Sequence, residues 1–142
     1  MNDLERAIEI ALTAHTGDTD KGGATYIRHP LRVMEQMDSE TERVVAVLHD
    51  VVEDAEYDLD DIESEFGSEV RDAVDALTKR DGEAYVEEFI PRCARNEIAR
   101  RVKQADIKDN MDLTRLPDVT EETAHRQIKY HQGLQRLQSP ET

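Results

Sequence analysis

Residues 39–54 read Ser39-Glu40-Thr41-Glu42-Arg43-Val44-Val45-Ala46-Val47-Leu48-His49-Asp50-Val51-Val52-Glu53-Asp54. The first four residues form a capping box, a hydroxyl followed three positions later by a carboxylate, which marks a helix start. The apolar run behind it is rich in valine and by itself would also suit a buried strand. An isolated strand, however, leaves its backbone N–H and C=O groups unsatisfied, and no turn-bounded alternating segment elsewhere offers itself as a partner. The stretch therefore predicts a buried helix, and with it an all-α fold.

The flanking segments agree. Asn2-Asp3-Leu4-Glu5 opens a helix to about Thr16, with Leu4, Ile8, Ala11 and Leu12 at helical spacing. A polar loop, Gly17 to Gly23, leads to a helix with Pro30 in its first turn and Leu31, Met34 and Met37 as its apolar positions. Asp58 opens a short helix stopped by Gly67, and Ser68 caps the next, through Val70, Val74 and Leu77. After Arg80-Asp81-Gly82 comes a helix carrying Tyr85, Phe89 and Ile90, bent at Pro91. Asn96-Glu97 opens the helix of Ile98, Val102 and Ala105, and Thr120 starts a last one to about Leu137. The expectation is one compact domain, residues 1–138, of seven to nine helices, with 139–142 a frayed tail.

Composition narrows the function. The 142 residues carry a net charge of −15, from 33 acidic against 18 basic side chains. A general nucleic-acid binder needs a basic footprint, so that class is excluded. No apolar stretch approaches the length of a membrane span, and the N-terminus lacks the order of a secretory signal. With one cysteine, Cys93, no internal disulfide can form. A cytoplasmic protein with no membrane partner is expected, and Cys93 reads as a small core residue.

The chemistry centres on His49-Asp50. Imidazole and carboxylate beside so many aliphatic side chains are unfavourable unless paired, and a divalent cation is an economical partner. On a helix His49 and Glu53 are four apart, as are Asp50 and Asp54, so a metal-ligand set and an acid/base set could be offered to the same pocket. Asp106 falls on the inward stripe of its helix. Alone it reads as a buried salt bridge or a cap; in this company it reads as a ligand. His29 precedes Pro30 at a helix start. Together His29, His49, Asp50 and Asp106 offer two nitrogen and two oxygen donors, a mixture suited to Mn²⁺, Fe²⁺ or Zn²⁺.

The ordered segments Tyr26-Ile27-Arg28-His29-Pro30-Leu31, Leu48-His49-Asp50-Val51-Val52-Glu53-Asp54 and Val102-Lys103-Gln104-Ala105-Asp106, continuing to Asn110-Met111, resemble the HD-domain metal-dependent phosphohydrolases. More narrowly, they resemble the hydrolase domain of RelA/SpoT-type proteins and the small alarmone hydrolases, from about His15 to Tyr130. The resemblance implies one ion, Mn²⁺, on His29, His49, Asp50 and Asp106. It implies that Glu53 and Asp54 orient or deprotonate the attacking water. It also implies removal of the 3′-pyrophosphate from guanosine tetraphosphate or pentaphosphate. Lys21, Asn110, Thr114, Arg126 and Tyr130 match the positions that hold the nucleotide substrate, and His15 matches a supporting polar residue. His125 and His131 could lie near the pocket mouth.

Two departures bear on the substrate. The residue before the lysine is typically an arginine that packs on guanine, and here it is Asp20. The usual threonine after the acidic pair is Ala55. A carboxylate cannot replace a guanidinium face over a base, so a different nucleotide or phosphorylated cofactor, or a binding module without turnover, are the alternative readings.

Overall fold

The computed structural model describes residues 1–54 and 57–139. Among these the chain is helical, with one isolated antiparallel β-bridge between Thr19 and Thr25. The helices are α1 (Asp3–His15), α2 (Arg28–Glu35), α3 (Glu40–Leu48), α4 (Val51–Asp54), α5 (Leu59–Phe66), α6 (Ser68–Ala76), α7 (Ile90–Ala94), α8 (Glu97–Asn110) and α9 (Glu121–Gln138). Of the expected tail, Pro140 to Thr142 lies outside the described residues, as does Ala55.

α3 is the axis of the fold. Val44, Val45, Ala46, Val47 and Leu48 are all buried, because α1, α2, α6 and α8 pack around it. A helix apolar on every side is stable only in such a setting. Its capping box forms as the sequence predicts: Ser39 Oγ accepts from the Glu42 amide at 3.2 Å, and Glu42 returns to the Ser39 amide at 3.0 Å. Glu42 is itself buried and also accepts from Arg101 at 2.9 Å, which ties the start of α3 to α8.

Four expectations are corrected. The helix does not run through to residue 54: it stops at Leu48, turns at His49 and Asp50, and resumes as the short α4. The His49 imidazole Nδ1 takes the Ala46 carbonyl at 2.6 Å, the acceptor a continued helix would give to the Asp50 amide. In α1 the buried face is Ala7, Ile10, Ala11 and His15, leaving Leu12 exposed. In α2, Val33 is buried in place of Leu31. Ser68 begins α6 but does not cap it; Gly67 occupies the N-cap, with a φ of 93° that favours glycine.

Where the sequence expects a bend at Pro91, the structure shows a widened turn before it. Residues Tyr85–Phe89 form a π-turn, with the Ile90 amide reaching back five residues to the Tyr85 carbonyl. A proline that cannot donate, and that crowds the carbonyl four residues back, favours this looser winding. Just before it, Glu83 forks onto Arg92 at 2.8 and 2.9 Å, and Arg92 also holds the Asp75 and Thr78 carbonyls. Arg92 draws the Glu83 carboxyl down to about 2 from an ordinary value near 4.5. A depressed carboxylate stabilises the fold fully above its unfolded pKa and loses that contribution as pH falls through the folded one. Glu83→Gln is thus expected to lower stability at pH 7 and to flatten its decline between about pH 4.5 and 2. Urea unfolding across that range checks this, and parallel curves for variant and parent would refute it.

Candidate metal centre

Three helix ends and one helix face converge on a cavity of about 440 Å³. Its deep wall holds His29 from the first turn of α2, Asp50 from the turn after α3 and Asp106 from α8. His49 lies beside them, buried. His29, His49 and Asp50 each offer a donor atom, all within 4.8 Å of one another. Asp106 adjoins them: its Oδ1 is 2.8 Å from His29 Nε2 and 3.4 Å from His49 Nε2. The four residues that the sequence groups are brought together.

These residues fit a divalent cation. His49 Nδ1 is committed to a backbone carbonyl, which turns Nε2 toward the cluster. That nitrogen is buried and makes no hydrogen bond, although carboxylate oxygens of Asp50 and Asp106 stand at 3.2 and 3.4 Å. A buried imidazole nitrogen without a hydrogen bond, facing anionic oxygens, is a site that a cation would complete. Burial opposes a charge on either histidine, but the neighbouring carboxylates outweigh it, and both imidazole pKa values are raised, that of His49 strongly. Metal ligands must be deprotonated, so a bound cation would take the place of those protons.

The carboxylates are held ionised by the surrounding cations. Burial pushes the Asp106 pKa up, and Lys103, with the two histidines, pulls it well below the usual range. Lys103 Nζ donates to Asp106 Oδ2 at 2.8 Å and sits 5.2 Å from the centre of the Phe89 ring. Asp50 is likewise depressed against its burial, chiefly by His49, and Tyr26 donates its hydroxyl to Asp50 Oδ2. Tyr26 packs on the buried His15 ring at 4.7 Å between centroids.

The outer wall is basic. Lys21, Arg126 and Tyr130 line it as the sequence pairs them, joined by Lys129 and Arg115, which sequence reading did not single out. Burial, together with the charges of Arg126 and Lys129, lowers the Lys21 pKa. Asn110 lines the cavity and donates to Asp106 Oδ1 at 3.4 Å. Thr114 does not line it. α8 ends at Asn110, and Thr114 belongs to a separate 3₁₀ turn, bonded to Asp112. Glu53 is exposed on α4 and is not among the lining residues, while the Asp54 side chain lies outside what is described. His125 and His131 are exposed on α9, also off the cavity wall. Cys93 is buried, donates to the Ala76 carbonyl, and has its thiol pushed up to about 11 by burial, which makes it a core residue.

Asp20 lines the cavity, but its carboxylate is turned into its own loop. Oδ1 accepts from the Gly22 and Ala24 amides, both at 2.9 Å, and fixes the turn that carries Lys21. Gly22 is required there, since a Cβ would lie 2.4 Å from the Arg115 carbonyl oxygen.

With this geometry established, comparison with known proteins is decisive at one level. A family model described as HD domain matches residues 7–126. The chain belongs to the HD-domain family. It is 35% identical over 127 residues to a GTP pyrophosphokinase of Streptomyces coelicolor, covering 81% of this chain and 15% of that protein. It is 36% identical over 116 residues to a guanosine-3′,5′-bis(diphosphate) 3′-pyrophosphohydrolase of Haemophilus influenzae, covering 72% of this chain and 17% of that protein. Against the bifunctional (p)ppGpp synthase/hydrolase SpoT of Escherichia coli the identity is 32% over 123 residues, 82% of this chain and 17% of that protein. The chain thus spans only 15–17% of the length of these relatives. The fold also matches the solved structure of a metazoan SpoT ortholog that hydrolyses ppGpp. The TM-score is 0.83 at 23% identity, over 98% of this chain and 87% of the other. Among the described residues, no helix is long and apolar enough to cross a membrane.

Proposed function

We propose that the protein is a cytosolic hydrolase that uses one divalent cation, Mn²⁺, to remove the 3′-pyrophosphate of ppGpp or pppGpp, leaving GDP or GTP. The observation that carries this reading is one cavity with a four-donor cluster at its base and Lys21, Arg126 and Lys129 on its wall, in a chain of net charge −15. An acidic protein repels a polyanion at long range, so a local basic wall over a metal cluster points to phosphates. The printed names of the relatives support the same substrate class.

In this reading His29, His49, Asp50 and Asp106 hold the ion. When bound, the ion would supply positive charge to the phosphoryl oxygens and acidify a water. The water oxygen bonds to the inner phosphorus of the 3′-diphosphate. The bond from that phosphorus to the ribose 3′-oxygen breaks, and that oxygen takes up the proton the water has released. The resemblance gives the transfer of that proton to Glu53 and Asp54; since Glu53 stands exposed and off the cavity wall, this role requires α4 to bring it to the water. Lys21, Arg126 and Tyr130 orient the phosphates, and Asn110 contacts the sugar.

A second reading keeps the ion and changes the substrate. It is favoured by Asp20, whose carboxylate is spent on the loop and presents no guanidinium face to a base. The two readings are separated by initial rates with Mn²⁺ on ppGpp, pppGpp, nucleoside monophosphates and a phosphorylated cofactor. The first predicts pyrophosphate from ppGpp and pppGpp only. Orthophosphate from the other substrates, with ppGpp untouched, would establish the second. Tight nucleotide binding without any product would identify a binding module.

The loop gives its own prediction. Gly22→Ala forces the Lys21 turn away from Arg115, so KM for the phosphorylated substrate rises roughly tenfold, the loss of about one charged hydrogen bond. The value of kcat changes little. A KM within twofold of the parent would show that the turn does not place Lys21 on substrate.

A further inference from the structure

Asp109 has no part in the ligand set, yet it is the residue most closely built around it. Asp106 and Asp109 are three apart on α8, so both carboxylates face the same way, one turn from each other. His29 fits between them. Its Nε2 is 2.8 Å from Asp106 Oδ1, and its Nδ1 is 2.6 Å from Asp109 Oδ2. Asp109 is in turn clamped from α2 by Arg32, whose Nε and terminal nitrogen reach the two carboxylate oxygens at 2.8 and 3.0 Å. Both partners of His29 are therefore fixed by other side chains: Lys103 holds Asp106, and Arg32 holds Asp109.

We infer that Asp109, locked by Arg32, is the positioning residue of the metal centre: it keeps the proton of His29 on Nδ1, so that Nε2 is the nitrogen offered to the ion. The inference rests on the metal reading given above. An imidazole bound through one nitrogen donates its other N–H, and an anionic acceptor there fixes both the ring's tautomer and its orientation and raises its basicity. Of the two carboxylates, Asp106 shares the cluster with Asp50 and His49, while Asp109 stands on the far side of the ring, away from them. Only the second can serve as that acceptor once Asp106 is engaged by the ion. The forked geometry of Arg32 gives the carboxylate one orientation, which a lysine at this position would not impose. A purely structural salt bridge would tie α2 to α8 equally well, but it would have no reason to end on the nitrogen opposite the donor cluster.

Direct titration of the full chain with Mn²⁺, followed by calorimetry or by electron paramagnetic resonance of the free ion, tests this without reference to turnover. Asp109→Asn keeps the shape and removes the charge, and is expected to weaken Mn²⁺ binding about 10- to 100-fold. Arg32→Gln leaves Asp109 in place, held from the side by Arg115 at 3.5 Å, and is expected to weaken binding less, by several-fold. In a His29→Asn background, Asp109→Asn should add nothing, because its effect passes through the ring. Affinities within twofold of the parent in both single variants would overturn the inference, and if Asp109→Asn fails to fold, Arg32→Gln alone decides it. An equal loss from Asp109→Asn with and without His29 would also overturn it, by showing an effect that bypasses the ring. Failure of the unaltered chain to bind Mn²⁺ would remove the metal reading itself, a result distinct from tight binding that the variants leave unchanged.

Discussion

Asp106→Ala is expected to lower kcat for Mn²⁺-dependent hydrolysis by on the order of a thousandfold or more. The residue supplies one of four donors, and the charge stabilisation a bound ion contributes is several kcal/mol, where each 1.36 kcal/mol is a factor of ten in rate. Two further effects act together in this variant. Removing the carboxylate leaves Lys103 Nζ without its 2.8 Å partner, and it leaves His29 Nε2 facing a void. Asp106→Asn separates them, since it keeps the volume and gives up only the charge. Rates for both variants at saturating Mn²⁺, beside melting curves, check the assignment. Residual activity within tenfold of the parent in a folded Asp106→Asn protein would show that the ion is held elsewhere.

The second large effect is on stability. Lys103 is half-buried beside Tyr85 and Phe89, and its charge is balanced by the buried Asp106. Deleting one partner of a fully buried pair costs about 3–5 kcal/mol, and here, with Lys103 half-buried and His29 still at 2.8 Å from Asp106, the cost falls toward the lower end of that range. Lys103→Met should therefore lower the melting temperature, without added metal, by on the order of 10 °C. Mn²⁺ should restore much of that loss, since a cation on the cluster compensates Asp106 in place of the ammonium. Calorimetric scans of parent and variant with and without Mn²⁺ test the coupling. An equal deficit in both conditions would mean that lysine and ion do not act on the same carboxylate.

The fold was legible in the sequence where local chemistry decides it. Ser39 and Glu42, Asn2 and Glu5, and Thr120 and Thr123 all close as reciprocal caps, because hydroxyl, amide and carboxylate groups three residues apart meet only in a helix start. What could not be read were contests between local and tertiary groups. The break at His49 depends on an imidazole taking the Ala46 carbonyl, and nothing in residues 44–52 announces that the ring turns back. In α1 the spacing alone does not tell Leu12 from Ala7 and Ile10, and the packing of α3 and α4 on this helix leaves Ala7 and Ile10 buried and Leu12 exposed.

The site shows the same division. His29, His49, Asp50 and Asp106 stood out because polar groups among aliphatic ones need partners, and the structure brings all four together. Lys103 and Asp109 were missed, although each is three residues from Asp106 on one helix, a spacing that marks both as neighbours of a buried carboxylate. Tyr26 lies within the segment before Pro30, but its hydroxyl reaches Asp50 only through the fold of the loop before α2. Thr114, matched to a substrate-holding position, stands off the cavity because α8 ends at Asn110 and the 3₁₀ turn starts afresh. The break after Leu48 also sets Glu53 apart from the cavity wall, so its relation to the ligands is not the one-turn repeat that a continuous helix implies.

The central claim, hydrolysis of a 3′-diphosphate at a single ion held by these four residues, is tested most directly by a phosphorus NMR time course of ppGpp with the protein and Mn²⁺. The predicted result is loss of the 3′-diphosphate resonances, with free pyrophosphate and GDP rising together at equal rates, and no change after chelation of the metal. Orthophosphate as the first product, an unaltered spectrum with Mn²⁺ present, or turnover that survives the chelator would contradict it.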